Sequence, residues 1–291
     1  MAKQNTQASY HAHIKRKKII RYIVLIFLAI LCLFPFYILI INSTHFTDKI
    51  AGGGLLVLPG GWFGKNFINL LNDGTIPVFR GLLNSMLIAI GMAALTTYFS
   101  ALTAYSVHAY DFPGRKAIQT FILAIMMIPT QVTALGFVDL METFGLLNNY
   151  IPLIIPSIAA PVVYFFMLQY MQGALPLEIV EAARIDGSNE FRTFNTIVLP
   201  IMKPAMAVQA IFAFVTSWNN YFTPNLIISS QRTDLWTLPI VIATLRNANF
   251  LSFDLGKIYM AMFMAIIPVV IVYLILSRYI IQGVAVGSVK G

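Results

Sequence analysis

Six long stretches of the chain contain no Asp, Glu, Lys or Arg. They cover residues 22–44, 82–110, 117–138, about 151–171, 204–222 and 258–277. A helix needs about 20 apolar residues to cross a hydrocarbon layer about 30 Å thick, and it satisfies its own backbone polar groups where water is absent. The stretches therefore predict an all-α membrane protein with six transmembrane helices.

Composition excludes the other broad classes of protein. Of the 291 residues, 58% are hydrophobic and only 10% are charged, whereas soluble domains carry about 25% charged residues. The formal net charge of +8 does not indicate nucleic-acid binding, because the basic residues lie between apolar stretches and form no basic patch on a polar domain. The single cysteine, Cys32, allows no intramolecular disulfide.

The basic residues predict the orientation of the chain. Five of them lie between positions 15 and 21, just before the first apolar stretch, and cytoplasmic segments retain Lys and Arg. With six spans, both termini are then cytoplasmic. We expect a cytoplasmic tail over residues 1–21, a six-span transmembrane domain over 22–281 with a cytoplasmic loop over 172–203, and a second cytoplasmic tail over 282–291.

Signatures of catalysis are absent from the sequence. It has no phosphate-binding loop of the Gly-x-x-x-x-Gly-Lys-Ser/Thr type, so the chain is not expected to hydrolyse ATP. The four histidines form no pair at zinc-ligand spacing. No span contains the paired carboxylates or lysine that ion-coupled carriers use. We expect no catalytic residue, no metal ligand and no cofactor in this chain.

The longest polar segment on the predicted cytoplasmic side covers residues 176–192. Pro176 suits the first turn of a short helix, and Gly187 suits the left-handed position just beyond its end. Glu178 and Glu181 lie near the positive end of its dipole. The helix has an apolar stripe of Ile179, Ala182, Ala183 and Ile185. Because the segment is acidic on balance, anionic lipid would repel it and a protein partner is favoured.

This segment also resembles a known signature. Glu181-Ala182-Ala183 is followed after three residues by Gly187 and, after nine more, by Ile197-Val198-Leu199-Pro200, which resembles the signature loop of bacterial ABC-importer permeases. Other parts resemble the carbohydrate-uptake, maltose-type branch of that family. They are Asn84-Ser85, Phe112 to Lys116, Trp218 to Phe222, and the tail from Arg278 to Gly291. One position departs from the pattern, since Asn220 stands where the family commonly has Glu or Asp.

The resemblance implies a multi-pass subunit of the bacterial cell membrane that imports an oligosaccharide or related carbohydrate by ATP-driven alternating access. Its partners would be a sister permease in a heterodimer, two cytoplasmic ABC ATPase subunits that bind ATP and Mg, and an extracellular solute-binding protein. The loop helix would dock on an ATPase. The residues implied in this coupling are Glu178, Glu181, Ala182, Ala183, Asp186 and Gly187.

Two further segments are candidates for contact with solute and with the binding protein. Aromatic faces and amide groups suit sugars, and the predicted fifth span ends in Trp218, Asn219, Asn220 and Tyr221. The same residues suit an interfacial anchor, so both interpretations stay open. The resemblance implies that the external loop over residues 223–257 reaches the binding protein. Its tip would carry Arg246, Asn247 and Asn249.

Three alternatives remain at this point. A permease of the same type could carry a solute other than a sugar. A stand-alone secondary carrier would need no ATPase, and it leaves the acidic loop helix unexplained. An intramembrane enzyme would need a catalytic pair, and the sequence offers none.

Overall fold

The computed structural model describes residues 2–74, 76–247 and 254–287, and the regular elements in these ranges are helices. The α-helices are α1 (Ala2–Ser43), α2 (Thr47–Ala51), α3 (Phe63–Leu71), α4 (Val78–Ala109), α5 (Arg115–Ile125), α6 (Thr130–Thr143), α7 (Ile151–Ile154), α8 (Pro161–Ala174), α9 (Leu177–Ile185), α10 (Glu190–Thr193), α11 (Leu199–Trp218), α12 (Phe222–Ile227), α13 (Leu238–Asn247) and α14 (Leu255–Gly287). Two 3₁₀ segments, Ile155–Ile158 and Thr233–Leu235, precede α8 and α13. A π-helical turn, Phe194–Val198, joins α10 to α11.

Five helical segments within the described ranges are long and apolar enough to span a bilayer. They cover Lys17–Ser43, Val78–Ala109, Ile151–Ala174, Glu190–Trp218 and Leu255–Tyr279. They correspond to five of the six predicted spans, and the prediction of an all-α membrane protein is confirmed.

The predicted third span, residues 117–138, is not one continuous helix. It is divided between α5 and α6, with a break over residues 126–129. Pro129 lies directly before α6 with an extended backbone, at φ −62° and ψ 129°. Proline has no N–H to donate and disfavours a helical conformation at the residue before it, so the helix ends ahead of it.

Two other boundaries differ from the prediction. α1 is helical from Ala2, so the expected tail over residues 1–21 continues directly into the first span, and its Lys, Arg, Gln and Ala residues favour helix. The predicted fifth span starts at residue 204, but the helical segment already begins at Glu190. The π-helical turn carries the helix through the loop signature without interruption.

The chain divides into two compact units, residues 1–72 with 251–263 and residues 73–250 with 264–291. In the first unit, the buried amide of Asn66 fixes the end of α1. Its Nδ2 donates to the carbonyl oxygens of Ser43 and His45, at 2.9 and 2.8 Å. Gly256 lies against this amide, because an added Cβ would come within 2.8 Å of the Asn66 oxygen.

In the second unit, α4 packs against α8 and α11. The buried face of α4 consists largely of small residues, which let helix backbones approach closely. Its fully or nearly fully buried members include Ser85, Ala89, Ala93, Thr97, Ser100, Ala101 and Ala104. The facing core is built from larger side chains, among them Met167, Met171, Phe194, Val198 and Met202, each with 0% exposure. The small residues of α4 thus leave room for the larger side chains of the facing core.

Because small side chains of α4 contact large ones, an Ala→Leu substitution is predicted to affect stability differently on the two sides of this helix. Ala104→Leu adds volume at a fully buried position of α4, and such overpacking costs about 1–3 kcal/mol. Ala94→Leu makes the same change on the exposed side of the same helix. We expect the first variant, and not the second, to lower the melting temperature of the purified subunit in detergent. Equal melting temperatures would contradict this packing.

Candidate functional site

The helix α9 is held between two sharp changes of chain direction. Pro176 precedes it with an extended backbone, at ψ 135°. At the other end, Gly187 has a left-handed φ of +79°. The amide of Ser188 donates to Ala183 O at 2.9 Å and that of Gly187 to Arg184 O at 3.0 Å. This pair of hydrogen bonds is the Schellman motif, which ends a helix at a left-handed glycine.

The two sides of α9 differ in exposure and chemistry. Val180 and Ala183 are 1% and 5% exposed and pack inward. The outward side carries the carboxylates of Glu178, Glu181 and Asp186, all exposed. It also carries apolar side chains that are left uncovered, namely Leu177, Ile179, Ala182 and Ile185. Of the apolar stripe expected from the sequence, Ala183 alone turns inward, and Ile185 is 86% exposed.

Four side chains meet on the inward side of this loop, and we call them the Glu190 cluster: Tyr105, Tyr110, Arg184 and Glu190. Arg184 Nε donates to Glu190 Oε1 at 2.7 Å. The buried Tyr105 hydroxyl donates to Glu190 Oε2, also at 2.7 Å. The Arg184 guanidinium lies 5.0 Å from the ring centroid of Tyr110, a cation–π distance. Both oxygens of the carboxylate are therefore held by donors from different helices.

The charges of the Glu190 cluster reinforce one another. The hydrogen bond to the Glu190 carboxylate raises the pKa of the Arg184 guanidinium. Burial, followed by the neighbouring Glu190 carboxylate, raises the pKa of the Tyr110 phenol. The guanidinium therefore stays charged and the phenol stays protonated at neutral pH.

A second candidate region lies where α11 ends. Trp218 is its last residue and is 3% exposed. Its Nε1 donates to Ala265 O at 3.1 Å, and its ring stacks on Phe214 with centroids 5.6 Å apart. Asn219 follows as the C-cap, and the Asn220 side chain accepts from the amide of Thr223 at 3.2 Å. The amide residues therefore end one helix and begin the next, and Trp218 is largely engaged in packing.

A cavity of about 400 Å³ lies beside this helix end. It brings together Trp218, Asn219, Tyr221 and Arg246, with apolar residues of α13 completing the wall. Tyr221 is 42% exposed. Arg246 was expected from the sequence at the tip of the external loop, and the structure brings it to the same cavity as the aromatic cluster. A cation, an amide and an aromatic phenol thus face one space.

A second cavity, of about 530 Å³, lies on another side of α13. Ile240 and Thr244 of α13 line it together with Asn148, Asn225 and Trp236. The start of α13 is fixed by α4. Asn84 Nδ2 donates to the carbonyl oxygens of Asp234 and Trp236 at 3.0 and 2.9 Å, and Ser85 Oγ accepts from the amide of Leu238 at 2.8 Å.

The remaining predicted residues of the external loop are only partly described. Asn247 is the last residue of α13. Asn249 lies outside the described residues, which end at 247 and resume at 254.

Comparison with known proteins identifies the family. Residues 97–286 match the family described as the binding-protein-dependent transport system inner membrane component. The match covers more than half of the chain. The chain belongs to this family.

Relatives of this permease extend the match to nearly its whole length. It is 36% identical over 268 residues to the arabinooligosaccharides transport system permease protein AraQ of Halalkalibacterium halodurans, covering 91% of this chain and 94% of the relative. It is 31% identical to the trehalose/maltose transport system permease protein MalG of Thermococcus litoralis, covering 94% and 98%. The resemblance to carbohydrate-uptake ABC permeases is thereby confirmed, and this permease is a multi-pass protein of the cell membrane.

A solved structure shares the fold. A bacterial ABC transporter involved in the import of the acidic polysaccharide alginate aligns with a TM-score of 0.76 at 21% identity, covering 90% of this permease and 95% of that chain. At this identity the likeness shows the fold alone. Members of this family are membrane components of ABC transporters and are not themselves catalytic.

Sequence reasoning missed the Glu190 cluster of this permease. Arg184 and Glu190 are opposite charges on the two sides of a left-handed glycine, and that pattern is a signal that could have paired them. Nothing in the sequence marks Tyr105 or Tyr110 as their partners, because they lie in a separate apolar stretch, residues 82–110.

The left-handed Gly187 of this permease predicts a graded response to substitution. An L-residue in this conformation costs about 1–2 kcal/mol, and Asn tolerates it best. We expect Gly187→Val to loosen the turn and speed trypsin cleavage after Arg184 severalfold in membranes, and Gly187→Asn to do so less. Gly173→Val, where an added Cβ meets open space at an ordinary φ, serves as the control. Identical cleavage rates in all three variants would contradict this structure of the turn.

Proposed function

We propose that this permease translocates an oligosaccharide or related carbohydrate into the cell by ATP-driven alternating access. It would cross the membrane six times with both termini in the cytoplasm, the third crossing being made by α5 and α6 together. ATP and Mg would be bound by two separate cytoplasmic ABC ATPase subunits. An extracellular solute-binding protein would deliver the solute. The named relatives support a carbohydrate as solute.

The outward side of α9 is the observation that carries this proposal. It exposes three carboxylates beside uncovered Ile179, Ala182 and Ile185. Large apolar side chains exposed outside the membrane favour a protein contact, and the carboxylates favour a basic rim on that partner. Ala182, with its small side chain, would let the partner approach the helix backbone closely. A separate ATPase with a basic, partly apolar cleft meets these requirements.

A sister permease is supported by the break between α5 and α6. Residues 126–129 leave the helix within an apolar stretch, and Met127 is 83% exposed. Irregular backbone in a hydrocarbon layer is tolerated only where protein or a water-filled cavity covers it. Val132 and Leu135 of α6 are 72% and 74% exposed, which extends the uncovered surface. We expect a second, different permease subunit to cover it.

The cavity beside α11 is the proposed solute contact. Asn219 and Tyr221 offer an amide and a phenol to sugar hydroxyls, and Trp218 forms part of the apolar wall. Because the Trp218 indole N–H is used by Ala265, the wall contributes its ring and not a hydrogen bond.

The second candidate function is the import, by a transporter of the same type, of a solute other than a neutral sugar. Arg246 favours this candidate. This guanidinium lines the cavity, and Arg recognises carboxylate and phosphate groups by paired hydrogen bonds. Uptake of an acidic or phosphorylated sugar that is lost in Arg246→Gln, with neutral oligosaccharide uptake unaffected, would favour this candidate.

The docking proposal predicts that charge reversal on α9 uncouples transport. In Glu181→Lys we expect the ATPase to co-purify poorly and uptake to fall more than about tenfold, because a buried interfacial charge pair is replaced by like charges. Gly187→Asp should act in the same direction. Immunoblots of membranes check that both variants still insert. Asp111→Lys makes the same charge reversal at another exposed carboxylate and should transport normally; normal uptake in Glu181→Lys and Gly187→Asp would remove the proposal.

The solute proposal predicts a change in apparent affinity. Asn219→Ala removes hydrogen bonds to solute, so we expect the KM for uptake to rise about three- to tenfold. The amount of assembled complex should stay unchanged. Gln172→Ala, at an exposed position near the end of α8, is the control. An unchanged KM with reduced assembly would assign Asn219 to helix capping instead.

A further inference from the structure

The Glu190 cluster connects three parts of the second unit at one carboxylate. Tyr105 belongs to α4, Arg184 belongs to α9, and Glu190 begins the continuous helical segment that ends at Trp218. Tyr105 and Arg184 each place a donor 2.7 Å from a different oxygen of Glu190. The carboxylate therefore bridges the loop helix to two membrane-spanning helices.

Apart from this bridge, α9 has few contacts with the rest of the second unit. Before it, Leu175 and Pro176 have extended backbones, and the Leu175 carbonyl oxygen lies 3.1 Å from His108 Nε2 of α4. After it, the chain turns through Gly187. The inward contacts of α9 come mainly from two side chains, Val180 and Ala183. A helix of nine residues held only in this way could tilt about the Leu175 junction without moving the spans.

The ion pair in this bridge contributes little to the stability of the fold. The Arg184 and Glu190 side chains are 36% and 41% exposed, and ion pairs with this exposure contribute little to folding. The aromatic packing nearby is already complete without the charges. Tyr105 packs its ring on Phe194 with centroids 5.6 Å apart, and Tyr98, about two turns earlier in α4, does the same.

We propose that the Glu190 cluster makes α9 move as one body with α4 and α11, so that its four residues are positioning residues for transport. The inference rests on the proposed function, in which the ATPase pushes on the outward side of α9. The displacement of α9 reaches the spans through the Glu190 carboxylate, which is bonded to Tyr105 of α4 and belongs to the helical segment that continues into α11. None of the four residues lines the proposed solute cavity.

The test separates transmission from assembly in the complete importer, reconstituted in vesicles. For Glu190→Gln and Arg184→Gln we expect normal co-purification of the ATPase and continued ATP hydrolysis, while the number of solute molecules transported per ATP falls at least about fivefold. Tyr105→Phe keeps the ring packing and removes one donor, so its fall should be smaller. Arg192→Gln is the matched control, since Arg192 lies in the same loop, is exposed and belongs to no cluster.

A second experiment exchanges the charged residues at positions 184 and 190. Arg184→Glu and Glu190→Arg should each lower the transport ratio, and the double variant should recover it in part, because the ion pair is restored in reverse while the Tyr105 hydroxyl loses its carboxylate acceptor. A transport ratio equal to that of the unmodified importer in Glu190→Gln and Arg184→Gln would overturn the inference. So would a loss of assembled complex that matches the loss of uptake.

Failure of the inference can be told from failure of the proposed function. If Glu181→Lys abolishes uptake while the cluster variants transport normally, α9 docks on the ATPase but the cluster does not transmit the push. If Glu181→Lys also transports normally, the docking itself is wrong.

Discussion

Every peptide group in the apolar part of this chain needs a hydrogen-bond partner within the protein, because a hydrocarbon layer offers none. Continuous helices meet this need over most of the described residues. Three of the places where the backbone leaves a helix coincide with a proposed role. Gly187 turns the chain beside the proposed docking side of α9, Asn219 and Asn220 end α11 at a cavity, and residues 126–129 belong to the surface proposed for a second subunit.

The helix α4 connects the candidate sites of the second unit. Its 32 residues correspond to a length of about 48 Å. Near its start, Asn84 and Ser85 hold the segment that leads into α13, which lies between the two cavities. Near its end, Tyr105 holds the carboxylate behind α9. Small residues along its buried face keep it in contact with α8 and α11, so a displacement at one end has a rigid path to the other.

Sequence patterns predicted the parts of this structure that depend on local chemistry. Uncharged stretches identified five helical segments, because hydrophobic length is a property of consecutive residues. Pro176 and Gly187 located α9 within one residue of its actual bounds, since both act on the backbone at their own positions. At residues 117–138 the structure has two helices, α5 and α6, where the sequence predicted one span, because Pro129 lies between them with an extended backbone.

Other features depend on contacts between distant residues, and the sequence alone could not reveal them. The bond from Tyr105 to Glu190 joins positions 85 residues apart. Arg246 shares a cavity with Trp218 only because α13 folds back on the end of α11. The inward turn of Ala183 beside the outward Ala182 follows from the angular position of α9 on the core, which periodicity does not determine.

The central claim is that the outward side of α9 docks on a separate ATPase. Its most direct measurement uses two neighbouring cysteine variants, Ala182→Cys and Ala183→Cys, in a background where the exposed Cys32 is replaced by Ser. Each is labelled with a thiol-reactive photo-crosslinker before the ATPase is added, and the importer is then assembled and irradiated. We predict a crosslink to the ATPase from the exposed position 182 and none from position 183, which is 5% exposed. Equal crosslinking from both positions, or none from either, would contradict the account.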